Sequence, residues 1–257
     1  MSRSEDPSHN SAGFFAGFLA ATAFFTRLPL DPRLGEWRLA DSAWAFPLVG
    51  AGIGGAAAFA LFVAQLIGLA SWAAALLAVL GGIALTGALH EDGLADTADG
   101  FCGGRDREEK LKILRDSRQG TYGVLAIVLS VLLRAAALAG IGDVIHGGLA
   151  LIAAHAASRA ALPAAMMGMT PARPDGLGAM AGTPSAGGAI AAALIGAAIA
   201  LAALGPMRGV MALCLAGAIV FATAELARSQ IGGYTGDVLG AFQQVAEIVI
   251  LLAASAR

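Results

Sequence analysis

Seven blocks of this 257-residue chain are apolar for long enough to cross a lipid bilayer, and no other feature constrains its fold as strongly. The blocks cover residues 44–70, 72–89, 122–141, 148–169, 187–204, 210–227 and 238–254. A hydrocarbon core of about 30 Å is crossed by about 20 helical residues. Backbone groups find no water there, so each block is expected to close its hydrogen bonds internally as helix. Residues 14–25 are apolar but short, and Arg27 and Pro29 close the stretch, which predicts a re-entrant or interfacial helix. The expected fold is therefore all-α: a polytopic integral membrane bundle of seven transmembrane helices plus one short N-terminal helix. Residues 1–12 read as a polar tail and residues 13–257 as a single membrane catalytic domain.

Composition agrees with this reading. Only 13% of residues are charged, against about 25% in soluble domains. The net charge of −2 argues against a nucleic-acid partner. Abundant glycine and alanine suit close helix contacts, within one chain or between copies in a homo-oligomer. Cys102 and Cys214 form no CxxC pair, so no disulfide framework is expected.

Lys and Arg concentrate in the cytoplasmic loops of membrane proteins. With the loop around residues 93–120 placed in the cytoplasm, strict alternation of spans puts eleven of them on that side: Arg27, Arg33, Arg38, Arg105, Arg107, Lys110, Lys112, Arg115, Arg118, Arg173 and Arg228. Only Arg208 and Arg257 fall opposite. The same alternation brings HEDGLADTADG, RDSRQG, PARPDGLG and GGYTGD to one face, which predicts a shared cytoplasmic site. The expected location is a bacterial inner membrane, with the site facing the cytoplasm.

Eight of the eighteen acidic residues lie between Glu91 and Asp116. Asp92, Asp96 and Asp99 are spaced four and three apart, so in a helix they share one face. Three like charges there repel one another unless a cation neutralises them. Mg²⁺ is a suitable cation, being held by a few carboxylates together with substrate phosphate oxygens. Glycines beside the cluster and the Arg115-Asp116-Ser117-Arg118 stretch after it add phosphate-binding character, the pairing that phosphoryl transfer requires. Asp237, in GGYTGD, reads equally well as the acidic first turn of a helix. Arg134, His155, Arg159, Glu225 and Glu247 sit within apolar blocks and are functional candidates by their position. For Arg134 and His155, pairing inside the bundle is the expected explanation.

GALHEDGLADTADGFCGG, with KILRDSRQGTYGVLA downstream, resembles the signature of the cobalamin synthases, the adenosylcobinamide-GDP ribazoletransferases. FFTRLPL, AFPLVG, ARPDGLG and GGYTGDVLGA match in order, so the resemblance covers nearly the whole chain. It implies an Mg²⁺-dependent membrane enzyme of cobalamin biosynthesis. In that reaction a ribose hydroxyl of α-ribazole, or of its 5′-phosphate, attacks the cobinamide-bound phosphorus of adenosylcobinamide-GDP and releases GMP. Carried over by motif, His90, Asp92, Asp96 and Asp99 match the acidic string, Arg115 to Arg118 the second motif, and Asp237 the glycine-rich one. Two positions depart from the pattern: Glu91 stands where leucine is common, and Gln244 where glutamate is common, three residues before Glu247.

The roles implied are Asp92, Asp96, Asp99 and Asp116 as metal ligands, and Arg115, Ser117, Arg118, Arg27, Arg173 and Asp237 as substrate or phosphate contacts. Asp99, Asp116 or His90 would accept the proton of the attacking hydroxyl, and Glu247 is a further candidate. Two other readings share the spaced aspartates. A CDP-alcohol phosphotransferase of phospholipid synthesis also needs an AR pair and a distant D-x3-D, which are missing here. A divalent-cation transporter would place its carboxylates at the midplane.

Overall fold

The computed structural model describes residues 7–30, 39–116 and 118–256, so Arg33, Arg38, Ser117 and Arg257 lie outside the described residues. Every extended element is helical. In chain order they are α1 (Pro7–Phe25), a 3-10 turn (Leu39–Ala45), α2 (Phe46–Leu66), α3 (Ser71–Thr86), α4 (Leu89–Gly103), α5 (Arg107–Ile113), α6 (Thr121–Ile141), α7 (Val144–Gly168), α8 (Leu177–Met180), α9 (Ala186–Leu204), α10 (Pro206–Ile231) and α11 (Gly236–Ser255).

Six of these segments are long and apolar enough to cross a membrane: Leu39–Leu66, Thr121–Ile141, Val144–Gly168, Ala186–Leu204, Pro206–Ile231 and Gly236–Ser255. The chain is an integral membrane protein. The block expected to be the second span behaves differently: α3 ends at Thr86 and the chain turns by 91° into α4, so a seventh span exists only if this bent pair is counted as one. Gly87 (φ +65°) and Ala88 (φ +59°) both take left-handed backbone at the turn. Arg27 packs its side chain against Gly87, and its backbone N–H donates to the Leu85 carbonyl at 2.8 Å. The run GALHED, which looks continuous in sequence, therefore divides between two helices.

Alanine and glycine set the packing. Glycines stand where α2 crosses α7 and where α4 crosses α11. At Gly54 a Cβ would lie 2.6 Å from the Leu151 carbonyl oxygen, and at Gly93 it would lie 2.6 Å from that of Asp237. Gly240 stands opposite, where an added Cβ would meet the Gly93 Cα at 3.3 Å. The acidic helix is thus locked against the start of α11 at a crossing with no room for a side chain. The short apolar stretch Phe14–Phe25 occupies the C-terminal part of α1, with Phe14 stacked on Trp44 at 3.9 Å between ring centroids. Cys102 and Cys214 are both free.

Candidate functional site

Short backbone pairings gather the polar motifs at one end of the bundle. Tyr234 donates its N–H to the Thr170 carbonyl (3.1 Å) and Ala172 donates to the Tyr234 carbonyl (2.8 Å), joining PARPDGLG to GGYTGD. Arg107 clamps both loops, donating from Nε to the Ile231 carbonyl (2.9 Å) and from Nη2 to the Ala172 carbonyl (2.7 Å). Arg173 approaches Asp237 at 3.6 Å and Arg115 pairs with Asp175 at 2.8 Å. Arg107 is a structural member of this region that its charge-rich neighbourhood conceals in the sequence.

The three aspartates of α4 do not converge on one point. Gln119 donates from Nε2 to Asp96 at 3.1 Å and approaches Asp92 at 3.5 Å, so these two carboxylates share one neutral donor. Asp99 turns away and caps the N-terminus of α6, accepting from the Gly120 N–H (2.6 Å) and the Gly123 N–H (2.9 Å). The free N–H groups of a helix start attract a carboxylate, and Asp99, furthest along α4, is the one that reaches them. Asp116 is held by Arg118, whose Nη2 donates at 2.6 Å and Nε at 3.0 Å. That guanidinium keeps the Asp116 carboxyl at about 2, well below the usual carboxylate range. Thr235 caps α11, accepting from the Val238 N–H, and its hydroxyl donates to Asp237 in the first turn. The cap reading of the glycine-rich motif and its place beside the site are therefore compatible.

Among the described residues, no three His, Cys, Asp or Glu side chains gather closely enough to form a metal shell of their own. Mg²⁺ needs fewer, since it is commonly held by one or two carboxylates with the remaining oxygens from substrate phosphates and water. Asp92 and Asp96, with an amide nitrogen between their oxygens, fit that requirement as a hard-oxygen pair.

Beside this pair lies a cavity of about 120 Å³, open on one side. His90, Asp92 and Asp237 supply its polar edge, while Phe24, Phe25, Phe46, Met166 and Leu239 are among its apolar walls. His90 is buried and stacks on Phe25 with ring centroids 5.7 Å apart.

Beneath His90 is a second constellation, buried in the bundle. Arg134 of α6 sits between Glu91 (3.0 Å) and Glu247 (3.1 Å). Glu247 also faces the His155 Nδ1 at 3.1 Å and Arg159 at 4.0 Å. The same His155 Nδ1 lies 3.1 Å from Arg159 Nη1, so this ring nitrogen faces both a carboxylate and a guanidinium. Gln243 donates to Ser158 (3.0 Å) and Glu247 (2.5 Å), and Gln244 donates to Glu91 (3.2 Å) while accepting from Ser130 (2.8 Å). Two formal negative charges face two positive ones, as a buried ionic cluster requires. Glu91 and Gln244 touch each other: the chain has an amide at 244 and a carboxylate 3.2 Å away at 91. Arg134 and His155 pair inside the bundle, as expected. Glu225 instead pairs with Arg228, one turn away and half exposed.

The family model for cobalamin-5-phosphate synthase matches residues 17–255. Proteins named adenosylcobinamide-GDP ribazoletransferase are similar over most of the chain. That of Bradyrhizobium diazoefficiens is 49% identical over 92% of both chains, that of Mesorhizobium japonicum 48% over 90% of both, and that of Azorhizobium caulinodans 47% over 91% of this chain and 92% of its own. No solved structure gives a significant match.

Proposed function

The chain belongs to the cobalamin-5-phosphate synthase family, and from that premise we propose how its loop-end residues carry out the family's reaction. It catalyses the nucleotide-loop assembly step of cobalamin biosynthesis, joining adenosylcobinamide-GDP to α-ribazole or α-ribazole 5′-phosphate. A ribose hydroxyl oxygen forms a bond to the cobinamide-bound phosphorus, the bond from that phosphorus to the bridging diphosphate oxygen breaks, the hydroxyl loses its proton and GMP leaves. A CDP-alcohol phosphotransferase and a divalent-cation transporter gain no support from the family match.

The observation that carries the residue assignment is the pairing of Asp92 and Asp96 across one amide, with Asp92 lining a cavity that His90 and Asp237 also line. Asp92 and Asp96 would hold Mg²⁺, which when bound neutralises charge on the diphosphate. Arg173, next to Asp237, is placed to meet phosphate oxygens, and Arg115 and Arg118 line the neighbouring loop. His90 lines the cavity beside Asp92, which makes it the favoured base. Asp99, with both oxygens committed to the start of α6, acts by fixing α4 against α6. The bacterial relatives and the excess of Lys and Arg at this end support an inner-membrane enzyme whose site faces the cytoplasm.

The decisive test supplies purified protein in detergent with adenosylcobinamide-GDP and α-ribazole, with and without Mg²⁺. GMP release and joined product appearing only with both substrates and the metal are expected. Turnover unaffected by chelation would remove the metal from this account, and no product under any condition would remove the reaction.

A further inference from the structure

We propose that the cavity beside Asp92 receives the benzimidazole base of α-ribazole, with the ribose held toward the acidic edge. The inference rests on the reaction given above and adds the part of the substrate that the cavity takes. Its walls are aromatic and already fixed. Phe25 meets Phe24 edge-on at 5.0 Å and Phe46 edge-on at 4.9 Å, stacks on His90, and carries the Arg159 guanidinium 5.6 Å from its ring centre. An apolar wall fixed in this way binds a planar ring without losing side-chain freedom on binding.

Size and polarity separate the ring systems that the two substrates bring. The corrin macrocycle with its peripheral amides is far larger than about 120 Å³. Guanine would bury an edge of amide, amine and carbonyl groups against Phe24, Phe46, Leu162, Met166 and Leu239, and unpaired buried polar groups cost about 1–3 kcal/mol each. A benzimidazole has no such edge, and a dry apolar cavity of roughly 150 Å³ is known to take a single aromatic ring. At about 120 Å³ and open on one side, this cavity encloses one ring of the base and leaves the other in the opening. His90, Asp92 and Asp237 are the titratable groups on the cavity lining: Asp237 is a carboxylate suited to a ribose hydroxyl, and His90 stacks on Phe25 of the aromatic wall.

Ala181, 8% exposed, lines the cavity and lies outside the charged machinery, so Ala181→Leu narrows the pocket without touching it. Two readouts are needed: KM for each substrate, and the intrinsic fluorescence of α-ribazole titrated with protein in nanodiscs, which does not depend on turnover. Ala181→Leu is expected to weaken α-ribazole about 10- to 200-fold in both readouts. KM for adenosylcobinamide-GDP should stay unchanged, and the riboside of unsubstituted benzimidazole should suffer less. Met166→Ala enlarges the same cavity and should shift preference toward bulkier bases, which keeps the test available if Ala181→Leu does not fold. A rise in KM for adenosylcobinamide-GDP alone, or no change for either substrate in folded variants, overturns the proposal. Loss of fluorescence binding in the variant, with wild-type protein releasing no GMP, would uphold this base site and overturn the reaction.

Discussion

Arg118 and Asp116 bind each other two residues apart on an open loop, whereas Arg134 meets Glu91 and Glu247 from three different helices, with almost none of the three side chains reaching solvent. The loop charges are dense in sequence and loosely held in space. Their pairs exchange readily with water and salt, which leaves them free to rearrange around phosphate. The bundle charges are sparse in sequence and tightly organised. Taking one partner away leaves an uncompensated ion in a low-dielectric interior, where each partner matters far more than its mean contribution suggests. The loops are arranged for chemistry, and the bundle fixes the helix that presents Asp92 and Asp96.

The largest effect expected from breaking this division is on folding. Arg134→Met or Glu247→Leu should cost about 3–5 kcal/mol of stability, seen as a fall in the unfolding temperature in detergent and in the yield of folded protein. Next, Asp92→Asn and Asp96→Asn should each lower turnover by about 10²–10³-fold, the scale of losing one preorganised electrostatic contact, with the unfolding temperature unmoved. If these variants instead melt early at normal turnover, the division is reversed. The exchange Glu91→Gln with Gln244→Glu preserves both charge and hydrogen bonding, so the double variant should recover most of the stability lost in Glu91→Gln alone. An additive double variant would show that the two sites are not equivalent partners for Arg134. Arg118→Lys should reduce turnover modestly and leave stability unchanged, because an ammonium cannot hold both Asp116 oxygens as the guanidinium fork does. The smallest effect concerns pH. The Asp116 carboxyl, lowered to about 2, contributes its interaction above the usual carboxylate range and loses it only as pH falls through about 2. Asp116→Asn should therefore leave the stability profile between pH 5 and 8 unaltered, as thermal melts across that range would report.

The spans were legible because lipid imposes a length and a composition on each one separately. The turn at Gly87 was not, since a left-handed Gly-Ala pair inside GALHED resembles an ordinary helical run and the bend depends on Arg27, far away in sequence. The acidic face was legible from its spacing, but the fate of Asp99 depended on where α6 begins, which spacing along α4 cannot reveal. Gln119 escaped notice because a neutral amide among arginines carries no charge signal, although its place in RDSRQG was a hint. Single charges in apolar blocks marked Arg134, His155, Arg159 and Glu247 as candidates. Their pairing required α6, α7 and α11 to be brought together, and Ser130, Ser158 and Gln243 join the cluster as neutral residues that hydropathy passes over.

Glu247 is supplied by the last helix, and this has a consequence for biogenesis. During synthesis Arg134 enters the membrane after Glu91 and has a partner waiting, whereas Arg159 emerges long before its carboxylate exists. A lone arginine at the centre of a bilayer costs about 2.5–3.5 kcal/mol on insertion scales. The nascent bundle therefore carries an unmet charge until α11 arrives, and a chain that ends at Ile231 retains it. In the finished bundle the last helix supplies the one carboxylate that faces Arg134, His155 and Arg159 together.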